Sequence, residues 1–416
     1  MKQRGKLSRQ MRWAIPAGIM AAVGGVLTTS MISLAQPPLP PLPPRTPAQL
    51  LTALAANPSG SALSGTVVET ASLGLPALPS IVGPISLSSF LAGSHVIKVW
   101  YADRTHYRIA VPQTDTESDL VRDGGNAWLW GSSVNMVEHM AIPAGASPAA
   151  SLPLTPQQAA DQVLAKVGPT TMVSVDDNVT VAGEAAYQLV LAPKSAGSLI
   201  SQVRVAIDAR HNVPLRVQVF AKDATGPAIQ VGFSSVSFGQ PAAQNVTFTP
   251  PAGAAVVQES LGSGGKTAAT ALGNSLANGA KVIGSDWLTV LDLPEAALTG
   301  MAPSGGAASS SSKPTGLAGS SSMQAGPGAD GSGGLAALGV DTGSMFNAFM
   351  KTAEHVSGPW GSGRLMQTSL VSMLVTSDGR VLIGAVTPNV LYQAVTQQGQ
   401  APTAQRHHAA VPVASK

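Results

Sequence analysis

Hydrophobic and polar positions alternate with a period of two over most of residues 62–238, and this period predicts strands rather than helices. Val203, Val205 and Ile207, for example, alternate with polar neighbours. Eleven segments follow the pattern: 62–72, 94–102, 104–111, 117–123, 126–131, 133–140, 170–181, 184–192, 201–209, 213–222 and 227–238. Because short turns join them and no helix follows each strand, the chain is predicted to be mainly β, with one antiparallel sheet.

Two helices are predicted beside this sheet. Thr46 offers an N-cap oxygen and Pro47 suits the first helical position, so a helix is expected over 47–56. The second is expected over 155–167, where an apolar residue recurs every three or four positions before a Gly-Pro pair. Both helices are amphipathic, and each therefore needs an apolar surface to cover.

The composition changes after the last of these strands. Residues 259–280 and 301–335 are rich in Gly, Ser and Ala, which is typical of linkers. Segments 281–300 and 336–396 are predicted to form a small C-terminal α+β module, and the tail 397–416 is predicted to be disordered.

Within the C-terminal module, three elements are predicted. They are a strand at 281–292, a helix at 345–355, and a hairpin in which 370–376 and 381–386 flank a Ser-Asp-Gly turn. The alternation of the hairpin strands favours a folded sheet over a decorating tail.

The first 35 residues are predicted to engage a membrane. Five cations precede residue 14, and an uncharged, mostly apolar run follows from Trp13 to Ala35. Segment 1–35 fits a cleaved signal peptide and also an uncleaved signal anchor, and both interpretations stay open. Either one places the remaining chain outside the cytoplasm, membrane-anchored or secreted. The Pro-rich segment 36–46 is predicted to be an extended stalk.

Composition and charge exclude several functions. Lys and Arg number 24 against 21 Asp and Glu, and the excess lies before residue 14, so the rest of the chain is near neutral. A basic surface for nucleic acid is therefore not predicted. The chain has no Cys, which excludes disulfides, thiol nucleophiles and Cys-ligated metals.

No catalytic motif withstands inspection. Segment 260–267 differs by one residue from a P-loop, but no hydrophobic strand precedes it and no helix follows it. His95 and His106 lack a third metal ligand, and Asp176-Asp177 fits a turn better than a carboxylate pair. A Gly-x-Ser-x-Gly elbow is missing. The protein is not expected to be an enzyme or to hold a cofactor or metal.

Apolar residues instead predict a ligand-binding cavity. Segment 73–92 is long, nearly uncharged and apolar, and it either fills the sheet's open face as core or covers a cavity as a lid. Three Trp residues fall in the same strand group, where core packing also explains them. The candidate ligand-binding residues are Leu75, Leu78, Ile81, Val82, Ile85, Leu87, Phe90, Leu91, Trp100, Trp128 and Trp130.

Several motifs resemble those of the LolA family of lipoprotein carriers and its relative RseB (MucB). The strand, Asp-Gly turn and aromatic strand of 120–130 are similar to the family's, as is the "Gly…Tyr-x-Leu" order within 181–191. Segment 248–253, Phe-Thr-Pro-Pro-Ala-Gly, resembles the family's closing motif. The resemblance assigns residues 47–258, about half of the chain, to one LolA-like domain.

The resemblance implies a fold and a function. The implied fold is an unclosed antiparallel half-barrel of about eleven strands, with helices over its concave, apolar face. The implied function is an extracytoplasmic carrier that binds the acyl chains of lipid or lipoprotein. The alternative is an RseB-like regulatory sensor that binds a membrane anti-sigma factor or another protein partner.

Overall fold

The computed structural model describes residues 42–56, 61–74, 92–142, 155–158, 160, 167–259, 281–295 and 350–399. Every element below lies in the unit Pro43–Lys416. No helix among the described residues is long and apolar enough to span a membrane.

Twelve strands form the first sheet, and both of its edges stay open. They are β1 (Leu63–Ser72), β2 (Ala92–Asp103), β3 (His106–Pro112), β4 (Glu117–Asp123), β5 (Asn126–Gly131), β6 (Met136–Ala141), β7 (Thr171–Val181), β8 (Glu184–Pro193), β9 (Ile200–Asp208), β10 (Pro214–Ala221), β11 (Pro227–Phe238) and β12 (Ala255–Glu259). Their spatial order is β12-β6-β5-β4-β3-β2-β1-β11-β10-β9-β8-β7. This is the predicted unclosed half-barrel.

The eleven strands predicted from alternation are all present, and the sequence missed only β12 in this sheet. β12 runs parallel to β6, against the antiparallel rule of every other pair. Its five residues follow a Pro-Pro-Ala-Gly turn, and so short a strand gives little periodicity. β12 also includes Glu259, which corrects the predicted start of the first linker.

Helix α1 (Pro47–Ala56) matches its prediction, and a capping box fixes its start. The amide of Gln49 donates to Thr46 Oγ1 over 3.3 Å, and the amide of Thr46 donates to Gln49 Oε1 over 2.8 Å. Leu50 and Leu54 are buried. In the second predicted helix, residues 156–158 and 160 are helical, residues 155 and 167 are described and not helical, and residues 159 and 161–166 are outside the described residues.

A second sheet of six strands forms the C-terminal module. It contains β13 (Lys281–Ile283), β14 (Val290–Pro294), β15 (Glu354–Gly358), β16 (Gly361–Gln367), β17 (Ser372–Thr376) and β18 (Arg380–Gly384), in the order β13-β14-β18-β17-β16-β15. Helix α2 (Pro388–Gly399) packs on it through Leu391, next to the buried Leu374 and Leu382. The predicted hairpin is β17–β18.

Three predictions for the module were wrong in detail. The strand at 281–292 is interrupted by a 3-10 turn at Asp286–Leu288, which leaves two short strands. The predicted helix 345–355 runs into strand β15, because the backbone of Glu354 and His355 pairs with β16. The tail was predicted from residue 397, yet α2 continues to Gly399 because its apolar side packs on the sheet.

The second sheet contacts the first at one end, and we call this contact the joint. The Trp287 Nε1 donates to Thr171 Oγ1 over 2.7 Å in a buried position. A β-bridge pairs Ser198 with Val386. The amide of Ser369 donates to the carbonyl of Leu73 over 3.0 Å. The joint therefore combines backbone pairing with a buried side-chain contact.

Candidate functional site

The inner face of the first sheet is apolar and almost continuously buried. It is the face on which Val67, Ile97 and Val231 lie, each at most 3% exposed. Strand register places Tyr187 on the same face, where its hydroxyl donates to the carbonyl of Pro43 over 2.7 Å. The chain just before α1 is therefore held against this face, and α1 follows directly.

Five inner-face residues form a row across five strands, near the strand ends. We call them the rim row: Arg122, Tyr107, Tyr101, Leu63 and Phe238, each in register with the next. The two tyrosine rings stack with centroids 6.4 Å apart. Burial raises the pKa of both tyrosines. The rim row therefore combines aromatic surface with a single cation.

The next row inward is entirely apolar. We call it the floor row: Leu129, Leu120, Ile109, Val99, Gly65 and Val236. Ile109 and Val99 are buried, whereas Leu120 and Leu129 on the β4–β5 side are half-buried. The floor row thus offers its accessible apolar surface beside Arg122.

Position 65 of the floor row is a glycine because the Phe233 ring occupies the space where a side chain would lie. A Cβ there would come within 2.4 Å of the Ser235 carbonyl and 2.9 Å of the Phe233 ring. Alanine at this position forces backbone shifts in β11. We expect Gly65→Ala to lower the free energy of unfolding by about 1 to 3 kcal/mol in a urea titration; an unchanged midpoint would show that β11 adjusts freely.

One ion pair interrupts the inner face away from the rim row. His95 Nδ1 lies 2.9 Å from Glu69 Oε2, and Glu69 is 5% exposed. Burial raises the pKa of Glu69, and the hydrogen bond with His95 opposes this rise. Because the two groups satisfy each other, they offer no unpaired charge to a ligand.

The three predicted Trp residues lie on the outer face, opposite the floor row. Strand alternation places Trp100, Trp128 and Trp130 there. The Trp128 ring stacks on the His139 ring with centroids 3.9 Å apart, and the centroid of the Phe248 ring lies 5.4 Å from that of Trp128. The prediction that Trp128 and Trp130 share a face agrees with the register, and their role in ligand binding stays a prediction.

The other candidate residues fall within segment 75–91, outside the described residues. They are Leu75, Leu78, Ile81, Val82, Ile85, Leu87, Phe90 and Leu91. Their role as cavity or lid also stays a prediction. Sequence reasoning missed the rim row because its five members lie on five different strands, and only strand register brings them together.

A charged cluster around the buried Asp119 occupies the outer face of β3 and β4. Arg108 lies 3.3 Å from Glu117 and hydrogen-bonds Asp119, which is 1% exposed. The Arg108 guanidinium is 5.6 Å from the centre of the Trp100 ring. Burial raises the pKa of Asp119 to about 7, although Arg108 opposes this rise. Asp119 is therefore the titrating group of this cluster near neutral pH.

Asp119 gives the fold a pH dependence. Its folded pKa of about 7 is above the unfolded value of about 3.9, so the folded protein retains a proton that the unfolded chain releases. The contribution of Asp119 to the free energy of unfolding is complete below about pH 4 and is lost as pH rises through about 7. We expect the free energy of unfolding to fall between about pH 5 and pH 8, and Asp119→Asn to flatten that slope in denaturant titrations. If Asp119→Asn leaves the slope of unfolding free energy against pH unchanged, other groups cause the pH dependence.

A separate cavity of about 380 Å³ lies on the second sheet, between the β15–β16 turn and α2. Trp360 and Tyr392 line it, with ring centroids 5.4 Å apart. In the part of the chain that the structure describes, no three His, Asp or Glu side chains are grouped as a metal site requires.

Comparison with family models gave no match, and neither did comparison with curated proteins. Solved structures do match. A MucA/MucB complex from Pseudomonas aeruginosa shares 13% identity, covers 84% of this chain and 96% of its own, and has a TM-score of 0.39. A LolA-superfamily protein from Nitrosomonas europaea shares 10% identity, with 49% and 99% coverage and a TM-score of 0.19.

A putative outer-membrane lipoprotein-sorting protein domain from Vibrio parahaemolyticus shares 11% identity. The match covers 48% of this chain and 93% of that one, with a TM-score of 0.20. The proteins that the sequence resembles are thus also among its structural matches.

Proposed function

We propose that this chain is an extracytoplasmic binding protein for acyl chains of lipid or lipoprotein, which it carries against the inner face of the first sheet. The observation that supports the proposal most strongly is the order of the two rows. An apolar floor row lies behind a rim row that is aromatic and carries one cation. An amphiphile has the same order, with an apolar chain and a polar head.

The energetics favour a chain-like ligand. Each methylene removed from water contributes about 0.8 kcal/mol, so a chain of moderate length laid along the floor row gains enough to offset the cost of association. Leu120 and Leu129 are half-buried, and so are Met136 and Met140 on the same face of β6, where Glu138 lies between them in register with Leu129. The β4–β6 side is therefore where a chain would first meet the inner face.

The remaining inner face is already covered. Leu50 of α1 is fully buried, and Val99 and Ile109 are at most 4% exposed. A long acyl chain therefore displaces protein contacts as it advances, and part of its binding energy is used for that displacement. This arrangement suits a carrier, because the protein closes over its apolar face when the ligand leaves. An extracytoplasmic location follows from the predicted membrane segment 1–35.

A titration with an uncharged acyl probe tests the proposal. A fatty alcohol labelled with a fluorophore along its chain is expected to bind the full chain with micromolar or tighter affinity, with a blue shift as the fluorophore enters an apolar site. The probe has no charged head, so its binding reports the floor row alone. A titration no different from that of an unrelated soluble β-protein would overturn the proposed function.

A further inference from the structure

Arg122 is the cation of the rim row, and it is buried on a mainly apolar face. The residue is only 8% exposed. Strand register places it between Tyr107 on β3 and Ala127 on β5. Neither neighbour carries a charge that opposes its own, and the adjacent floor row is apolar.

The guanidinium of Arg122 has unused hydrogen-bonding capacity. Its Nη1 is buried and has no hydrogen-bond partner among the described residues. None of the ion pairs found in that part of the chain includes Arg122, although Arg108, Arg204, Arg210 and Arg380 all have carboxylate partners. Buried arginines are normally paired, because an unpaired buried charge is costly.

The nearest acidic residues along the strands are engaged elsewhere. Asp123 follows Arg122 in β4, but its carboxylate lies 3.9 Å from His106 on the other face. Asp103, near the same strand ends, accepts hydrogen bonds from the backbone and hydroxyl of Thr105. On β3, β4 and β5 no described carboxylate therefore pairs with Arg122; the inner-face carboxylate Glu138 lies two strands away on β6, in register with Leu129.

We infer that Arg122 binds the anionic head of the amphiphile, a carboxylate or phosphate, while the acyl chain extends over the floor row. This inference rests on the proposed function and specifies its ligand class. A planar guanidinium matches such oxyanions through two parallel hydrogen bonds. Tyr107 is the neighbour of Arg122 in register on β3, and its ring stacks on that of Tyr101.

The test compares two ligands that differ only in the head group. At pH 8, lauric acid is titrated below its micelle concentration and dodecanol below its solubility limit, each by displacement of the uncharged probe. Wild-type protein is expected to prefer the acid by about ten- to hundred-fold, the worth of a charge-assisted pair. Arg122→Gln is expected to remove that preference and to leave dodecanol affinity within about two-fold.

Lys98→Gln is the matched control, because Lys98 is an exposed cation on the outer face of β2. It should keep the full preference for the acid. Competition by dodecyl phosphate and by inorganic phosphate shows whether Arg122 binds the head group of an amphiphile or a free anion. We expect dodecyl phosphate to compete through Arg122, and inorganic phosphate at millimolar concentration to have no effect.

The outcomes distinguish the inference from the proposed function. Equal affinity for acid and alcohol in the wild type, with both binding, overturns the role of Arg122 and leaves the proposed function standing. Displacement of the acid by inorganic phosphate alone would assign Arg122 to a free anion and also overturn the inference. Failure of dodecanol and the uncharged probe to bind at all overturns the proposed function itself.

Discussion

Replacing Leu120 with asparagine is expected to weaken the binding of an uncharged acyl probe by about ten- to hundred-fold. Leu120 lies at the accessible end of the floor row, half-buried between Ile109 and Leu129. Burying a leucine side chain against a ligand contributes about 1.5 to 3 kcal/mol, and an amide at this position loses that contribution and has no partner for its polar atoms. Fluorescence titration of the purified variant measures the change.

Val68→Asn is the matched control for this variant. Val68 is also half-buried and apolar in a strand, but the register of β1 places it on the outer face. It should cost similar stability and change probe affinity by less than about two-fold. Equal loss of affinity in both variants would mean that general destabilisation, rather than the inner face, governs binding.

Replacing Trp287 with alanine is expected to make the two sheets unfold independently. Trp287 is 8% exposed, and its indole donates to Thr171 on the first sheet. Truncating a buried tryptophan typically costs about 3 to 5 kcal/mol, and here the loss falls at the joint. Calorimetry should show two unfolding transitions in the variant where the wild type shows one, with the second sheet melting first.

Trp287→Phe separates packing from the hydrogen bond. It keeps most of the ring volume and leaves Thr171 Oγ1 without this donor. We expect a smaller loss, about 1 to 2 kcal/mol, and a single transition. A single unshifted transition in Trp287→Ala would show that the backbone contacts at Ser198 and Ser369 hold the joint without the indole.

The first sheet was predictable because the sequence pattern of each strand lies within that strand and in the turns beside it. Strands such as β9 and β10 alternate strictly and end at turn residues, and Thr46-Pro47 marks the start of α1. In the second sheet, the Ser-Asp-Gly turn predicted the β17–β18 hairpin for the same reason. β15 carries no such pattern, since it is short and is defined by its pairing with β16.

The candidate site was less predictable, because it depends on which strand lies opposite which. The spacing of Trp128 and Trp130 correctly predicts one shared face, but the spacing alone does not say which face of the sheet that is. Arg122, Tyr107 and Tyr101 meet only through the registers of β2, β3 and β4. A charged residue in an alternating strand is normally assigned to solvent, so Arg122 gave no signal of its burial.

Mass spectrometry of organic extracts shows most directly whether the protein carries an acyl amphiphile on the inner face of the first sheet. Full-length wild-type protein and Leu120→Asn are purified in parallel from the native host without detergent, and each is extracted with organic solvent. We expect an acyl amphiphile close to equimolar with the wild-type protein and strongly depleted from Leu120→Asn. Absence of any acyl species from the wild-type extract, or equal amounts in both extracts, would contradict it.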